Sequence, residues 1–205
     1  MRRLQLGAGF HRPDGWLNSD FMPRYADTIF LDITAPFPFS DDTFDAILCE
    51  HLIEHVPYPA ADRAVAECLR VLKPGGYLRI ATPDLLKLLS LYEQPQSAIG
   101  SRYSRWIVET FVPFAPGPQP CYVVNNAFRN WGHEFLFDEA ALMAMLTRHR
   151  FVDLKRQSPQ SSSSRELAGV DFHGRCIGDA DFNDFESMIV EARKPGGADT
   201  FVAAE

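Results

Sequence analysis

The chain has 205 residues, 46% of them apolar and 23% charged, with a formal net charge of −7 at neutral pH. That length and composition suit a single domain over 1–205 that buries its own core. The acidic balance argues against a partner read through its phosphate backbone, and no run of about eighteen apolar residues is present to span a bilayer.

Met1-Arg2-Arg3-Leu4 leads into no apolar signal core. The cysteines, at 49, 68, 121 and 176, have no paired metal-type spacing and read as reduced thiols. A cytoplasmic protein without nucleic-acid or membrane partners is expected. Its oligomeric state is not written in the sequence.

In chain order, residues 4–6 alternate as a short strand and run into Gly7-Ala8-Gly9. Residues 16–21 read as a second strand and 28–32 as a third that ends in an acid. A Pro-rich turn leads to the apolar fourth strand, 46–49. Residues 62–72 carry Ala64, Val65, Cys68, Leu69 and Leu72 at helical spacing. Lys73-Pro74-Gly75-Gly76 stops that helix and turns into a fifth strand, 77–81. Thr82-Pro83-Asp84 opens the next helix. Residues at about 94–132 read as an aromatic insertion with one or two short helices over the C-terminal edge of the sheet. Asp138 caps a helix to about 148, and 151–157 is a sixth strand. The segment SPQSSSSRE reads as a flexible polar loop, 187–192 as a last strand, and 194–205 as a frayed tail. Strands alternating with helices imply a parallel sheet with right-handed crossovers.

The glycine turn raises a question of its own. A dinucleotide fingerprint has a third glycine, a full crossover helix and an acid about twenty residues on. Here Arg12 and Pro13 follow Gly9, and Asp20 arrives too soon for that helix. Such a shortened unit weighs against a nicotinamide dinucleotide.

Taken together, LQLGAG, GWLNSD, FLDITAPFPFSDDTFDAI, HLIEHV, ECLRVLKPGGYLRIATPD and WGHEFLFDEAALMAML resemble the class I S-adenosylmethionine-dependent methyltransferases, in particular a group of small bacterial members. The resemblance covers roughly 4–157. It implies a Rossmann-like, doubly wound α/β sheet of seven strands whose antiparallel last strand is inserted beside the sixth. It also implies S-adenosyl-L-methionine as cofactor and methyl transfer to an oxygen or nitrogen of a small-molecule or sugar-containing acceptor. A non-catalytic cofactor-binding module of the same fold is the alternative.

On this resemblance Gly7, Ala8 and Gly9 let the backbone approach the methionine part of the cofactor. Asp20, at a strand end, is placed to accept from the ribose hydroxyls. Asp32 is placed to accept from the adenine amino group with Ile33 against the ring, or else forms an Asx turn before Pro36. Cys49, Glu50 and His51 fall beside the cofactor after the fourth strand. His55 is either a packing residue or a proton acceptor. His133 is the candidate general base toward the acceptor, or a loop-ordering residue.

His51-Leu52-Ile53-Glu54-His55 also matches the H-x-x-E-H zinc pattern. A strand ends just before it, Pro57 and Pro59 interrupt it, and no downstream helix offers a third ligand, so no metal is expected there. Arg102, Arg105 and Arg129 read as a solvated basic face, with binding of an acidic acceptor as the alternative.

Overall fold

The computed structural model describes residues 1–196. The strands are β1 (Arg3–Leu6), β2 (Leu17–Asp20), β3 (Thr28–Phe30), β4 (Phe44–Glu50), β5 (Leu72–Pro83), β6 (Val152–Gln157) and β7 (Ser187–Arg193). The helices are α1 (Tyr58–Val71), α2 (Leu85–Glu93), α3 (Ala98–Phe111), α4 (Pro120–Arg129), α5 (Glu139–Arg148), α6 (His173–Ile177) and α7 (Ala180–Glu186). Among the described residues a single 3-10 turn covers Ile53–His55.

All seven strands join one sheet in the order β3-β2-β1-β4-β5-β7-β6. β1 to β5 are mutually parallel, while β7 runs antiparallel between β5 and β6. This is the α/β architecture expected above. The first crossover contains no helix: His11 N–H donates to Ala8 O and Trp16 N–H to Pro13 O, which makes two successive turns.

β4 is central, and Phe44, Ala46, Ile47, Leu48 and Cys49 are all buried, because a parallel strand covered on both faces loses alternation. On one face Leu4, Leu6, Ile47 and Ile80 meet Ala61, Val65 and Cys68 of α1 and Leu142, Met145 and Leu146 of α5. Each such large side chain contributes about 1.5–3 kcal/mol when fully buried. On the other face Trp16, Ala46 and Leu48 pack on Leu167.

Several boundaries differ from the sequence reading, each for a local reason. α1 starts a turn earlier than expected because Pro57 and Pro59 open it rather than break it; proline is tolerated in a first helical turn. Lys73-Pro74-Gly75-Gly76 is not a turn before the strand but a loop bulging out of β5: Leu72 pairs with Phe44 and Tyr77 with Ala46. β3 stops at Phe30, so Asp32 lies beyond it, in a turn.

The insertion holds α3 and α4, which are full helices. With α2 and α7 they enclose a second core of Leu88, Leu91, Tyr103, Ile107, Val123 and Phe182. Leu85 N–H donates to Phe137 O and Asp84 N–H to Glu186 O, which ties this core to the end of β5.

The polar loop after β6 is ordered, contrary to its composition. Arg79, fully buried on β5, makes a two-pronged pair with Asp171 (2.8 and 2.6 Å) and a third bond to Glu191 (2.6 Å). Its Nη1 also donates to Ser161 O, so 158–172 is pinned over the sheet. α6 and α7 were not anticipated at all. Of the expected frayed tail, Lys194 is tied down by Asp42 and the carbonyls of Arg70 and Leu72; residues 197–205 lie outside the described part.

Candidate functional site

The C-terminal ends of β1, β2, β4 and β5 form one edge, the place where open α/β sheets bind ligands. At the end of β1 the backbone turns through Gly7 (φ +65°) and Gly9 (φ +53°). The positive φ at Gly7 favours glycine, and a Cβ there would stand 2.9 Å from the Leu52 methyls, which would have to shift. Ala8 is buried, and its N–H donates to Ser19 O.

Asp20 at the end of β2 holds this turn. Its Oδ2 accepts from Gly9 N–H and its Oδ1 from Met22 N–H, both at 2.8 Å. Each oxygen retains a lone pair. Asp32 forms the Asx turn: Oδ1 accepts from Thr34 N–H (2.8 Å) and Thr34 Oγ1 (2.7 Å), which leaves Oδ2 without a protein partner among the described residues.

Between these acids runs a groove of about 430 Å³, lined by Gly7, Asp20, Phe21, Leu31, Asp32, Ile33, Leu52 and His55. It brings together Gly7, Asp20, Asp32 and Ile33 as the sequence suggested. Cys49 lines neither this groove nor the two cavities below: it lies in the core on β4, where burial pushes its thiol pKa well up.

Glu50 and His51 lie farther along the edge, beside a narrower recess that also touches Gly7, Ala8 and Gly9. Glu50 Oε1 accepts the N–H groups of Phe172 (2.7 Å) and His173 (2.9 Å), which fastens the entry to α6. His11 stacks on Phe172, with centroids 4.5 Å apart.

His51 has φ +45° and stacks on His173 at 3.5 Å. Its Nε2 lies 3.1 Å from Ser187 Oγ and its Nδ1 3.2 Å from Glu54 Oε1. Burial pushes the His51 pKa down, but the pairing with Glu54 and the nearby Glu186 and Glu50 outweigh it, and the net shift is upward. Glu54 is fully buried; burial raises its pKa, yet His51 and then His55 bring the net below the usual value.

A second cavity, of about 340 Å³, opens beside the groove. Its floor carries His51, Glu54, His55, His133, His173 and Glu186, and its walls are Tyr103, Trp106, Phe111 and Trp131. Glu186 accepts from Tyr103 Oη (2.5 Å) and pairs with His173 Nε2 (2.7 Å).

The HLIEH and WGHEF segments meet here because the N–H groups of Glu134 and Phe135 both donate to Glu54 O. His133 Nδ1 lies 2.7 Å from Ala127 O, which assigns the proton to Nδ1 and leaves a lone pair on Nε2. Burial is the main reason its pKa is lowered, so the ring is neutral near pH 7. The His55 and His133 rings meet edge to face at 4.8 Å.

The sequence reading missed Tyr103, His173 and Glu186, which come from segments with no common motif. It treated Glu54 only as part of a zinc pattern, although a glutamate three residues after one histidine and adjacent to another was visible in HLIEH. Arg102 serves Asp179 and Asp181, while Arg129 borders a separate surface cavity near α4. All four cysteines are unpaired, and no helix among the described residues is long and apolar enough to cross a membrane.

Residues 18–80 match the family model described as a methyltransferase domain. A ubiquinone biosynthesis O-methyltransferase of Xylella fastidiosa is 35% identical over 75 residues, covering 37% of this chain and 27% of that protein. The chain thus spans about a quarter of the length of that curated relative. Among solved structures, a SAM-dependent methyltransferase of Thermotoga maritima, described as a possible histamine N-methyltransferase, aligns with TM-score 0.52 at 17% identity. That alignment covers 94% of this chain and 82% of the other. A SAM-dependent methyltransferase of Archaeoglobus fulgidus aligns with TM-score 0.51 at 15% identity, over 94% and 86% of the two chains. At such identities these likenesses concern the fold.

Proposed function

We propose that the chain is a class I S-adenosylmethionine-dependent methyltransferase, supported by the methyltransferase-domain match over residues 18–80, and that it transfers a methyl group to an oxygen or nitrogen of a small-molecule acceptor. The observation that carries this reading is that the groove and the aromatic cavity adjoin at one residue, His55, which lines both.

The groove suits S-adenosyl-L-methionine. Gly7 and Gly9 leave room for the methionine part, and Asp20 keeps lone pairs for ribose hydroxyls. The free Oδ2 of Asp32 suits the adenine amino group, with Ile33 against the ring. Ala8, Glu50 and His51 border the methionine end. The bound cofactor supplies an electrophilic methyl on a sulfonium leaving group. The protein's share is then orientation and water exclusion.

The acceptor occupies the aromatic cavity, with its nucleophilic atom toward His55 and His133. In the metal-free chain the Nε2 lone pair of His133 takes the acceptor's proton. The unpaired thiols fit a reducing compartment, and we place the protein in the cytoplasm on that ground.

Calorimetry with S-adenosylhomocysteine tests the first half of the proposal. One site per chain is expected. No heat and no thermal shift with either this ligand or S-adenosylmethionine sinks it. A screen of small hydroxylated acids, phenols, sugars and amines with radiolabelled methyl then tests the second half.

A further inference from the structure

The junction between groove and cavity has a feature that neither cofactor binding nor proton transfer requires. One ligand atom from each of Glu54, His55 and His133 lies within 4.8 Å of the other two. Glu54 is fully buried and lines the cavity, yet its Oε1 has no hydrogen-bond donor. Thr82 Oγ1 serves only Oε2, and His51 Nδ1 sits 3.2 Å from Oε1 without hydrogen-bonding geometry. That oxygen has the ion pair to His51 but no hydrogen bond, so it keeps lone pairs for a further positive partner.

His133 is prepared in the manner of a metal-ligating histidine. Its Nδ1–H is held by a backbone carbonyl, which sets the ring's angle and leaves Nε2 as the donor. The two bonds from Glu134 and Phe135 to Glu54 O hold the two contributing segments together.

We propose that Glu54, His55 and His133 bind one divalent transition-metal ion at the junction, leaving coordination positions open toward the aromatic cavity. Two imidazoles and one carboxylate are the donor set of open zinc and non-haem iron(II) centres. Magnesium and calcium would call for more oxygen ligands than this site has. The ligand atoms must draw in somewhat, since metal bonds of about 2.0–2.2 Å bring ligands closer together than the spread seen here.

This trio is not the one that the H-x-x-E-H pattern suggests. His51 stays out of it: its ring lies on His173 and its Nε2 faces Ser187. The expectation of a metal-free segment rested on the strand and prolines that deny His51 and His55 a helix, and on no downstream helix offering a third ligand; His133 comes instead from the non-helical stretch before Phe135.

The use of the ion rests on the acceptor reading above, whereas its binding does not. Coordinated to the ion, an acceptor hydroxyl would lose its proton to solvent water more readily, and its oxygen would take the methyl as the sulfonium C–S bond breaks, so that His133 would serve the loaded protein as a ligand rather than as the proton acceptor.

The test is a cobalt(II) titration of the chelator-treated protein, followed by visible ligand-field absorption, with zinc calorimetry alongside. One equivalent with an intense, low-symmetry spectrum is expected. Glu54→Gln and His133→Ala should each weaken binding at least about tenfold, judging by what even outer-shell changes cost. His51→Ala should keep the one-equivalent site. Circular dichroism checks each fold; if the buried Glu54→Gln variant does not fold, His133→Ala carries the comparison.

Less than one equivalent in the wild type, or equal binding in wild type and His133→Ala, overturns the proposal. So does loss in His51→Ala matching that in His133→Ala. Calorimetry with S-adenosylhomocysteine on the same preparations separates the two readings. Cofactor binding without metal removes only the ion, and metal without cofactor binding removes only the methyltransferase reading.

Discussion

The groove along β1–β3 and the cavity above β4 and β5 meet at His55 but are built by opposite means. Most of the groove is local: a glycine turn, two strand ends and two carboxylates lie within the first 34 residues, the carboxylates held by neighbours close in sequence, while Leu52, His55 and Val56 close it from farther along the chain. The cavity is made of side chains from segments far apart: the 3-10 turn, α3, the stretch before Phe135, α6 and the end of α7. A locally built site tolerates change elsewhere in the chain. A site assembled from distant segments depends on every contact that holds them, and it is where a family can vary its acceptor while keeping its cofactor.

The widest separation between the two regions should come from His133. His133→Ala, assayed on chelator-treated protein in which the ring acts as the base, should lower turnover by roughly 10²–10⁴ once an acceptor is known, the range for loss of a positioned acid–base group. Affinity for S-adenosylhomocysteine should stay within about twofold, because Gly7, Asp20 and Asp32 are untouched. Equal losses in both would mean that groove and cavity are one unit.

Arg79 tests what holds the cavity's far side. It anchors Asp171, which directly precedes the Phe172–His173 segment that Glu50 also fastens. Arg79→Met leaves Asp171 and Glu191 buried without their cation and should cost about 3–5 kcal/mol in urea unfolding. The double change Arg79→Met with Asp171→Asn should recover part of that loss. A single variant as stable as wild type would show that the buried trio is not what pins 158–172.

How much of this was legible follows the same division. The succession of strands along the chain, the glycine turn and the place of Asp20 at a strand end could be read because each is a short local signal: alternation, two glycines, an acid; the antiparallel last strand came from the family resemblance. Asp32 was ambiguous, and the structure shows the Asx turn while leaving one oxygen over. The cavity was mostly illegible. α6 has five residues including a glycine, too few to show periodicity. His173 and Glu186 acquire meaning only when β7 inserts beside β5 and brings Ser187 under His51. The serine-rich loop looked flexible because its partners, Arg79 and Glu191, lie on strands far away in sequence.

Within the groove, Asp20→Ala should weaken S-adenosylhomocysteine binding by about 1.5–3 kcal/mol, the worth of hydrogen bonds to a charged group. Its N–H partners at Gly9 and Met22 would also lose their acceptor, so Asp20→Asn is the better control: it keeps one oxygen but removes the charge. Affinity unchanged in both folded variants would remove Asp20 from the ribose role and move the cofactor's position toward β4.

The smallest effect concerns the seam between the helices that support the two regions. Asp62 on α1 accepts from Arg148 at the end of α5 (2.5 Å) and from the neighbouring His149 (2.6 Å). Burial raises the Asp62 pKa, but these two bonds outweigh it and the carboxyl sits below its usual value. The folded state therefore holds its proton less tightly than the unfolded chain, whose aspartates titrate near 3.9. The stabilisation is complete above that value, declines as pH falls through it, and is gone once pH drops below the folded pKa. Asp62→Asn should accordingly flatten the loss of stability between about pH 5 and pH 3 while slightly lowering stability at pH 7. The change should be modest, because the Arg148 side chain is 52% exposed and such pairs are screened. Urea midpoints at pH 7 and pH 3, for wild type and variant at fixed ionic strength, decide it. Parallel pH profiles would show that acid sensitivity lies elsewhere. If cofactor affinity then fell in step with the seam, α1 would be supporting the groove through α5, and the two regions would be less independent than their construction implies.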